Sequence, residues 1–160
     1  MTSMPRNAAV KANAEDDLIR LDDQLCFALY ATSRAITGLY RPVLQEIGLT
    51  YPQYLVMLVL WEHQTVTVSE LGARLYLDSG TLTPLLKRLE KQGLIVRSRD
   101  SGDERQVNIE LTLAGVRMRR RASAVALSLK CKLPIPEQKI RALRTELNGL
   151  LRMATEEESA

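Results

Sequence analysis

Aromatic side chains are scarce in this chain: one Phe, one Trp and five Tyr among 160 residues, against a hydrophobic content of 46%. Its core must therefore be aliphatic, built from Leu, Val and Ile, which suits packed helices. There is a single histidine, His63, and there are two cysteines, Cys26 and Cys131. Metal-ligand sets and Ser/His/Asp or Cys/His nucleophilic catalysis thus have too few members, so no metal, no cofactor and no enzyme are expected. The cysteines stand 105 positions apart, outside C-x-x-C spacing, and a standing disulfide is not expected in a reducing compartment. The longest apolar run, Tyr54–Trp61, has eight residues, against the ~18–20 needed to span a bilayer. The polar start MTSMPRNAAVKANAEDD carries no apolar signal region, which points to a cytosolic chain with a loose N-terminal arm over residues 1–21.

The formal net charge of +3 is unevenly spread. Residues 1–80 hold six basic and nine acidic groups, residues 81–121 ten and five, and residues 122–160 six and five. A local basic excess in the middle of the chain is where a phosphate backbone would sit, although a charge run is more often a solvated face.

The organising stretch is Leu21 to Tyr54. Leu25, Leu29, Thr32, Ile36, Leu39, Val43 and Ile47 recur at spacings of three and four, the pattern of a packed amphipathic helix. Cys26, Tyr30, Ser33, Thr37, Tyr40 and Leu44 form a second stripe beside it. Asp22 and Asp23 can supply the N-cap, which places Cys26 in the first turn, where unpaired backbone N–H groups and the macrodipole favour a thiolate. A cysteine at such a spacing is more often a small buried hydrophobe, and both readings stand at this point.

Pro42 falls inside this helix and Gly48 ends it. Thr50 with Gln53, and Thr67 with Glu70, make capping boxes for a buried helix ending near His63 and for the short helix VSELGARLYL. A break at Leu77-Asp78-Ser79 leads to SGTLTPLLKRLEKQG, with Leu82, Leu85, Leu86 and Leu89 inward and Gly93 as its stop. Pro84 would cost ~3 kcal/mol inside a helix, so either the helix starts near Thr83 or its first turn is distorted. LIVRSR and QVNIELT, joined by a turn-rich loop, read as a β-hairpin with Arg99 and Arg105 at its tip. Helix-turn-helix followed by such a hairpin is the order of a winged helix. From Leu113, with Thr112 as N-cap, a long helix carries Arg117, Arg119, Arg120 and Arg121. After Pro134-Ile-Pro136 a last helix repeats Ile140, Leu143, Leu147 and Leu150. Apolar stripes at both chain ends cannot all be covered by one small module, which predicts packing against a second copy.

The segments DDQLCFALYATSRAITGLYRPVLQEIGLTYPQYLVMLVLWE, LDSGTLTPLLKRLEKQGLIVRSRD and DERQVNIELTLAG, roughly residues 21 to 133, resemble the MarR family of bacterial transcription regulators, and within it the organic hydroperoxide resistance regulators. The wing pattern D-x-R (Asp103, Arg105) with Leu111-Thr112 behind it is the general mark; LCFALY around Cys26 is the specific one. The resemblance implies a mainly α homodimer with a small β-hairpin wing. Residues 51–112 would form the winged helix-turn-helix domain, and 22–50 with 113–160 the dimerisation region. It further implies that Cys26 is the peroxide-sensing thiolate and that Tyr40 and Tyr51 hold it by hydrogen bonds across the subunit interface, with Tyr30 a further aromatic nearby. Cys131 matches the second cysteine of a two-cysteine type, which forms a disulfide with the sensing sulfur of the other subunit.

On this reading the dimer places two recognition helices on a pseudo-palindromic operator in double-stranded DNA. Thr81, Thr83, Lys87 and Arg88 would face bases and phosphates, Ser79 and Lys91 phosphates, and Arg105 a minor groove. An organic hydroperoxide would be the signal and repression the outcome. The alternatives are a regulator of the same fold that answers a phenolic or other small ligand, a thiol peroxidase that turns over, and an unspecific architectural DNA binder.

Overall fold

The computed structural model describes residues 19–99, 106–133 and 135–157, and the chain divides into two compact units, 1–38 and 39–160.

In the first unit a 3-10 turn, Leu21–Asp23, precedes helix α1, Leu25–Glu46, which continues into the second unit. Asp22 and Asp23 do not cap α1, contrary to expectation. They lie inside the 3-10 turn, closed by the Gln24 N–H to the Leu21 carbonyl at 3.1 Å, and extended Gln24 is the residue that flanks the helix. The acids thus come one and two residues too early, and Asp23 pairs instead with Arg20 at 3.5 Å. Cys26 does stand in the first turn. The leucine stripe is covered only further along: Leu25 is 60% exposed and Leu29 40%.

In the second unit α1 ends at Glu46 and the turn after it passes through Gly48 (φ +75°), with Leu44, Ile47 and Leu49 buried and Pro42 accommodated within the helix. Helix α2, Tyr51–His63, follows. Its start is tied by the Gln53 side-chain oxygen, which accepts from the Thr50 N–H (2.9 Å) and hydroxyl (3.1 Å). Tyr54, Val56, Met57, Leu60 and Trp61 put α2 in the core. Strand β1, Thr65–Thr67, was not expected; three residues are too few for a period-two pattern to register. Thr67 both ends β1 and caps helix α3, Val68–Leu75: its hydroxyl accepts from the Glu70 N–H at 3.1 Å while Glu70 takes the Thr67 N–H at 2.8 Å.

Helix α4, Ser79–Lys91, begins five residues before Pro84 rather than near Thr83. Asp78 accepts the Thr81 N–H at 2.9 Å, and this cap stabilises a first turn that Pro84 alone would not suggest. The missing Pro84 N–H deprives only the Gly80 carbonyl, on an exposed turn where water can replace it. Leu82, Leu86 and Leu89 are buried and Leu85 half-buried, and Gly93 (φ +70°) stops the helix. Strands β2, Ile95–Arg99, and β3, Val107–Leu111, pair antiparallel, and β1 adds to the other edge of β3, so the expected hairpin is part of a three-stranded sheet ordered β1-β3-β2. The tip between β2 and β3 lies outside the described residues.

Helix α5, Leu113–Lys132, is seated on this sheet through its first turn. The Thr112 hydroxyl donates to the Gly93 carbonyl at 2.6 Å and accepts the Gly115 N–H at 3.1 Å, while the Thr112 N–H reaches the Leu94 carbonyl at 3.0 Å. Trp61 Nε1 donates to the Gly115 carbonyl at 2.9 Å, joining α2 to α5. Helix α6, Glu137–Glu157, leaves Leu143, Leu147, Leu150, Leu151 and Met153 exposed. No single helix among the described residues is long and apolar enough to cross a bilayer.

Candidate nucleic-acid interface and thiol site

The helix-turn-helix is α3, a turn, and α4. Tyr76 closes α3 in the left-handed region (φ 53°), and the Leu77 N–H returns to the Gly72 carbonyl at 3.0 Å, leaving no room for a Cβ on Gly72, which would stand 2.8 Å from the Leu77 carbonyl oxygen. With Leu82, Leu86 and Leu89 turned inward, the opposite face of α4 presents Ser79, Thr81, Thr83, Lys87, Arg88 and Lys91, all exposed. Two of these hydroxyls are already donors within the helix: Thr81 to Asp78 at 2.8 Å and Thr83 to the Ser79 carbonyl at 2.7 Å. They can therefore offer lone pairs to a ligand more readily than protons. Bonds from Thr81, backbone first, hold the Asp78 carboxyl below its ordinary value. Arg99 ends β2 and is exposed; Asp103 and Arg105 lie outside the described residues.

Two residues that the sequence did not single out join the wing to α4. Arg97 on β2 donates through Nε (2.9 Å) and Nη2 (2.7 Å) to Glu90 in the last turn of α4, and that contact holds the Glu90 carboxyl below its ordinary value. Both residues occur in segments read only for their leucines and their alternation, so no spacing rule marked the pair.

The thiol-site residues separate between the two units. Cys26 and Tyr30 belong to the first; both are exposed, and Cys26 is a free thiol. The Tyr30 hydroxyl accepts from Arg34 Nη1 at 3.0 Å, and the Arg34 guanidinium lies 5.4 Å from its ring centre, a cation–π contact within one helix turn. In the second unit Tyr40 and Tyr51 come together with ring centres 4.9 Å apart. Tyr54, not foreseen in this role, stands 6.1 Å from Tyr40 and 6.3 Å from Trp61. It lies three positions after Tyr51 and seven before Trp61, the helical spacing that could have placed it. Burial pushes all three phenols above their ordinary value, with the neighbouring tyrosines adding to it at Tyr40 and Tyr54. They remain protonated donors across the neutral range. Cys131, also free and exposed, is the second-last residue of α5. Among the described residues no group of three or more His, Cys, Asp or Glu could hold a metal.

The model of the SarA/Rot transcriptional regulators matches residues 38–119. The organic hydroperoxide resistance transcriptional regulator of Bacillus subtilis is 56% identical over 106 residues, 66% of this chain and 72% of that one. Among solved structures, the reduced regulator AbfR of Staphylococcus epidermidis bound to DNA has a TM-score of 0.72 at 38% identity, over 88% of this chain and 99% of its own. The disulfide form of AbfR has a TM-score of 0.60 at 38% identity, over 89% and 97%.

The chain belongs to the MarR family of transcription regulators. As a MarR-family protein it is a DNA-binding regulator and not an enzyme. The face of α4 turned away from the core carries the exposed cations Lys87, Arg88 and Lys91.

Proposed function

We propose that the chain is a homodimeric repressor, acting in the cytoplasm where its operator is, that releases DNA when an organic hydroperoxide oxidises Cys26. The observation that carries this reading is an exposed free thiol in the first turn of α1 on a chain 56% identical to an organic hydroperoxide resistance regulator. The first turn offers unpaired N–H groups and the positive end of the helix dipole to a thiolate. The Cys26 thiolate attacks the terminal peroxide oxygen; the O–O bond breaks, the alkoxide leaves and takes a proton from water to become the alcohol, and the sulfur is oxidised to a sulfenic acid. The thiol of Cys131 of the partner subunit then displaces water to form an intersubunit disulfide, which needs Cα atoms within ~7 Å. AbfR, which has both a DNA-bound reduced form and a disulfide form, is consistent with such a cycle.

Residues 22–50 and 113–160 would be the dimerisation region and 51–112 the DNA-binding domain, with residues 1–21 as an arm. The uncovered leucines at both ends, Leu25 and Leu29 on α1 and Leu143, Leu147 and Leu150 on α6, support packing against a second copy. Tyr40 and Tyr51, kept protonated by burial, are suited to donate to the thiolate across the interface, with Tyr30 nearby. On the pseudo-palindromic operator, Thr81, Thr83, Lys87 and Arg88 would face bases and phosphates, Ser79 and Lys91 phosphates, and Arg105 a minor groove, with Arg99 and Asp103 also among the DNA-binding residues.

The test is operator binding before and after one equivalent of cumene hydroperoxide, with mass spectrometry of Cys26. Wild type should lose binding as the sulfur gains oxygen or a disulfide, and Cys26→Ser should bind operator and ignore peroxide. Release by peroxide in Cys26→Ser would end this reading and leave a regulator answering a non-covalent ligand.

A further inference from the structure

Arg97 occupies an unusual place for a cation. It pairs in register with Ile109, which is fully buried, so the two side chains share the inner face of the sheet. An arginine at a core-facing position of edge strand β2 can be a plain brace or a guard against edge pairing. Its surroundings argue for more. Arg97 lines an open groove of about 660 Å³ together with Thr67 and Ser69 at the start of α3, Ser79 and Thr83 on α4, and Gln106 beside the wing. This groove lies between the recognition helix and the wing, the two elements that meet DNA in a winged helix. Hydroxyls line it, and among the described residues the one carboxylate on its wall, Glu70, is engaged by the Thr67 N–H and hydroxyl at 2.8 and 3.0 Å.

We propose that Arg97 is a DNA-backbone contact, its guanidinium held by Glu90 so that it meets one operator phosphate in the groove between α4 and the wing. Glu90 Oε2 takes Nε and Nη2. That occupies the Nε edge of the planar guanidinium and leaves the Nη1/Nη2 edge, whose two parallel N–H bonds match two phosphate oxygens. The carboxylate fixes the rotamer before DNA arrives, so little side-chain freedom is lost on binding. Glu90 is therefore a positioning residue and Arg97 the contact.

The two roles separate in the salt dependence of binding by the full-length reduced protein to an operator duplex. One lost phosphate contact lowers the slope of log K against log salt by about 0.9. Arg97→Gln should bind about tenfold more weakly with its slope reduced by about that amount, on operator and random duplex alike. Glu90→Gln should bind more weakly with the wild-type slope. If Arg97→Gln keeps the wild-type slope, Arg97 is only a brace and the proposal fails. Should Arg97→Gln not fold, Arg97→Lys is used with duplexes in which single phosphates are replaced by neutral methylphosphonates. One position near the wing should then penalise wild type more than Arg97→Lys; equal penalties at every position overturn the proposal.

Discussion

The Gln92 side-chain amide, at the end of α4, donates to the Gly48 carbonyl at 3.0 Å, just beyond the last turn of α1. Arg121 on α5 holds the same end of α1 through a 2.8 Å bond to the Glu46 carbonyl. The helix that carries Cys26 is thus gripped at its far end both from the end of α4 and by the helix that carries Cys131.

If oxidation acts by moving α1 or α5, the Gln92 bond is one route to the recognition helix. A single exposed hydrogen bond is worth about 0.5–1.5 kcal/mol. Gln92→Ala should therefore shrink the ratio of operator affinities between reduced and peroxide-treated protein by roughly two- to tenfold, with the reduced-state affinity little changed. Titrations of both states by fluorescence anisotropy read this directly, and an unaltered ratio removes Gln92 from the coupling.

Cys131→Ser should still form a sulfenic acid at Cys26 but no cross-linked dimer on a non-reducing gel, and repeated peroxide should drive it to the sulfinic acid. A peroxide-dependent dimer band in this variant would mean that the bridge is made elsewhere.

Among the described glycines Gly115 leaves a Cβ the least room: one there would overlap the Leu94 carbonyl oxygen and press on Leu111. Gly115→Ala must push α5 off the sheet edge and strain the Trp61 bond, at a cost of about 1–3 kcal/mol or more. Urea denaturation should show a lower midpoint, whereas Gly38→Ala, where nothing lies within 4 Å, should not.

Three carboxyls are held low in the folded chain: Glu70 and Asp78 by bonds from Thr67 and Thr81, backbone first, and Glu90 by the Arg97 side chain. Below the ordinary values of 4.5 for Glu and 3.8 for Asp the unfolded chain binds more protons than the folded one. The stability these groups contribute is present above those values and is lost as pH falls through the lowered ones. Thermal melts between pH 7 and 3 should show this decline, and Asp78→Asn with Glu70→Gln should flatten it. An unchanged profile in the double variant would assign the acid sensitivity to other groups.

The phenols behave oppositely. Tyr40, Tyr51 and Tyr54 are raised above 10.0 by burial, so the folded chain holds their protons where the unfolded chain has released them. Their contribution to stability is full below pH 10 and is lost as pH rises through the raised values. Ultraviolet titration should resolve these three above the ordinary tyrosine range, and Tyr40→Phe or Tyr51→Phe should slow the reaction of Cys26 with peroxide if they donate to its thiolate.

Much of this molecule was legible locally. The helices from Tyr51 and Val68 are announced by Thr50-Gln53 and Thr67-Glu70, and the helix stops by Gly48 and Gly93, because caps and left-handed turns are decided within four residues. Leu82, Leu86 and Leu89 set the inward face of α4 through their spacing alone, and with it the outward face that carries Lys87, Arg88 and Lys91.

What the sequence could not decide depends on neighbours far along the chain. Strand β1 exists because Val66 finds Ile109 across the sheet, a pairing that three residues cannot signal. The Asp22-Asp23 pair looked like a cap, but a 3-10 closure just before the helix changed its role. The Arg97–Glu90 pair, the tyrosine cluster at Tyr40 and Tyr51, and the grip of Gln92 on Gly48 join residues from separate elements. Capping, turning and facing are fixed by nearby backbone geometry and side-chain periodicity, so the sequence determined those. Which side chains meet across elements follows from how the elements pack, and only the tertiary structure decided that.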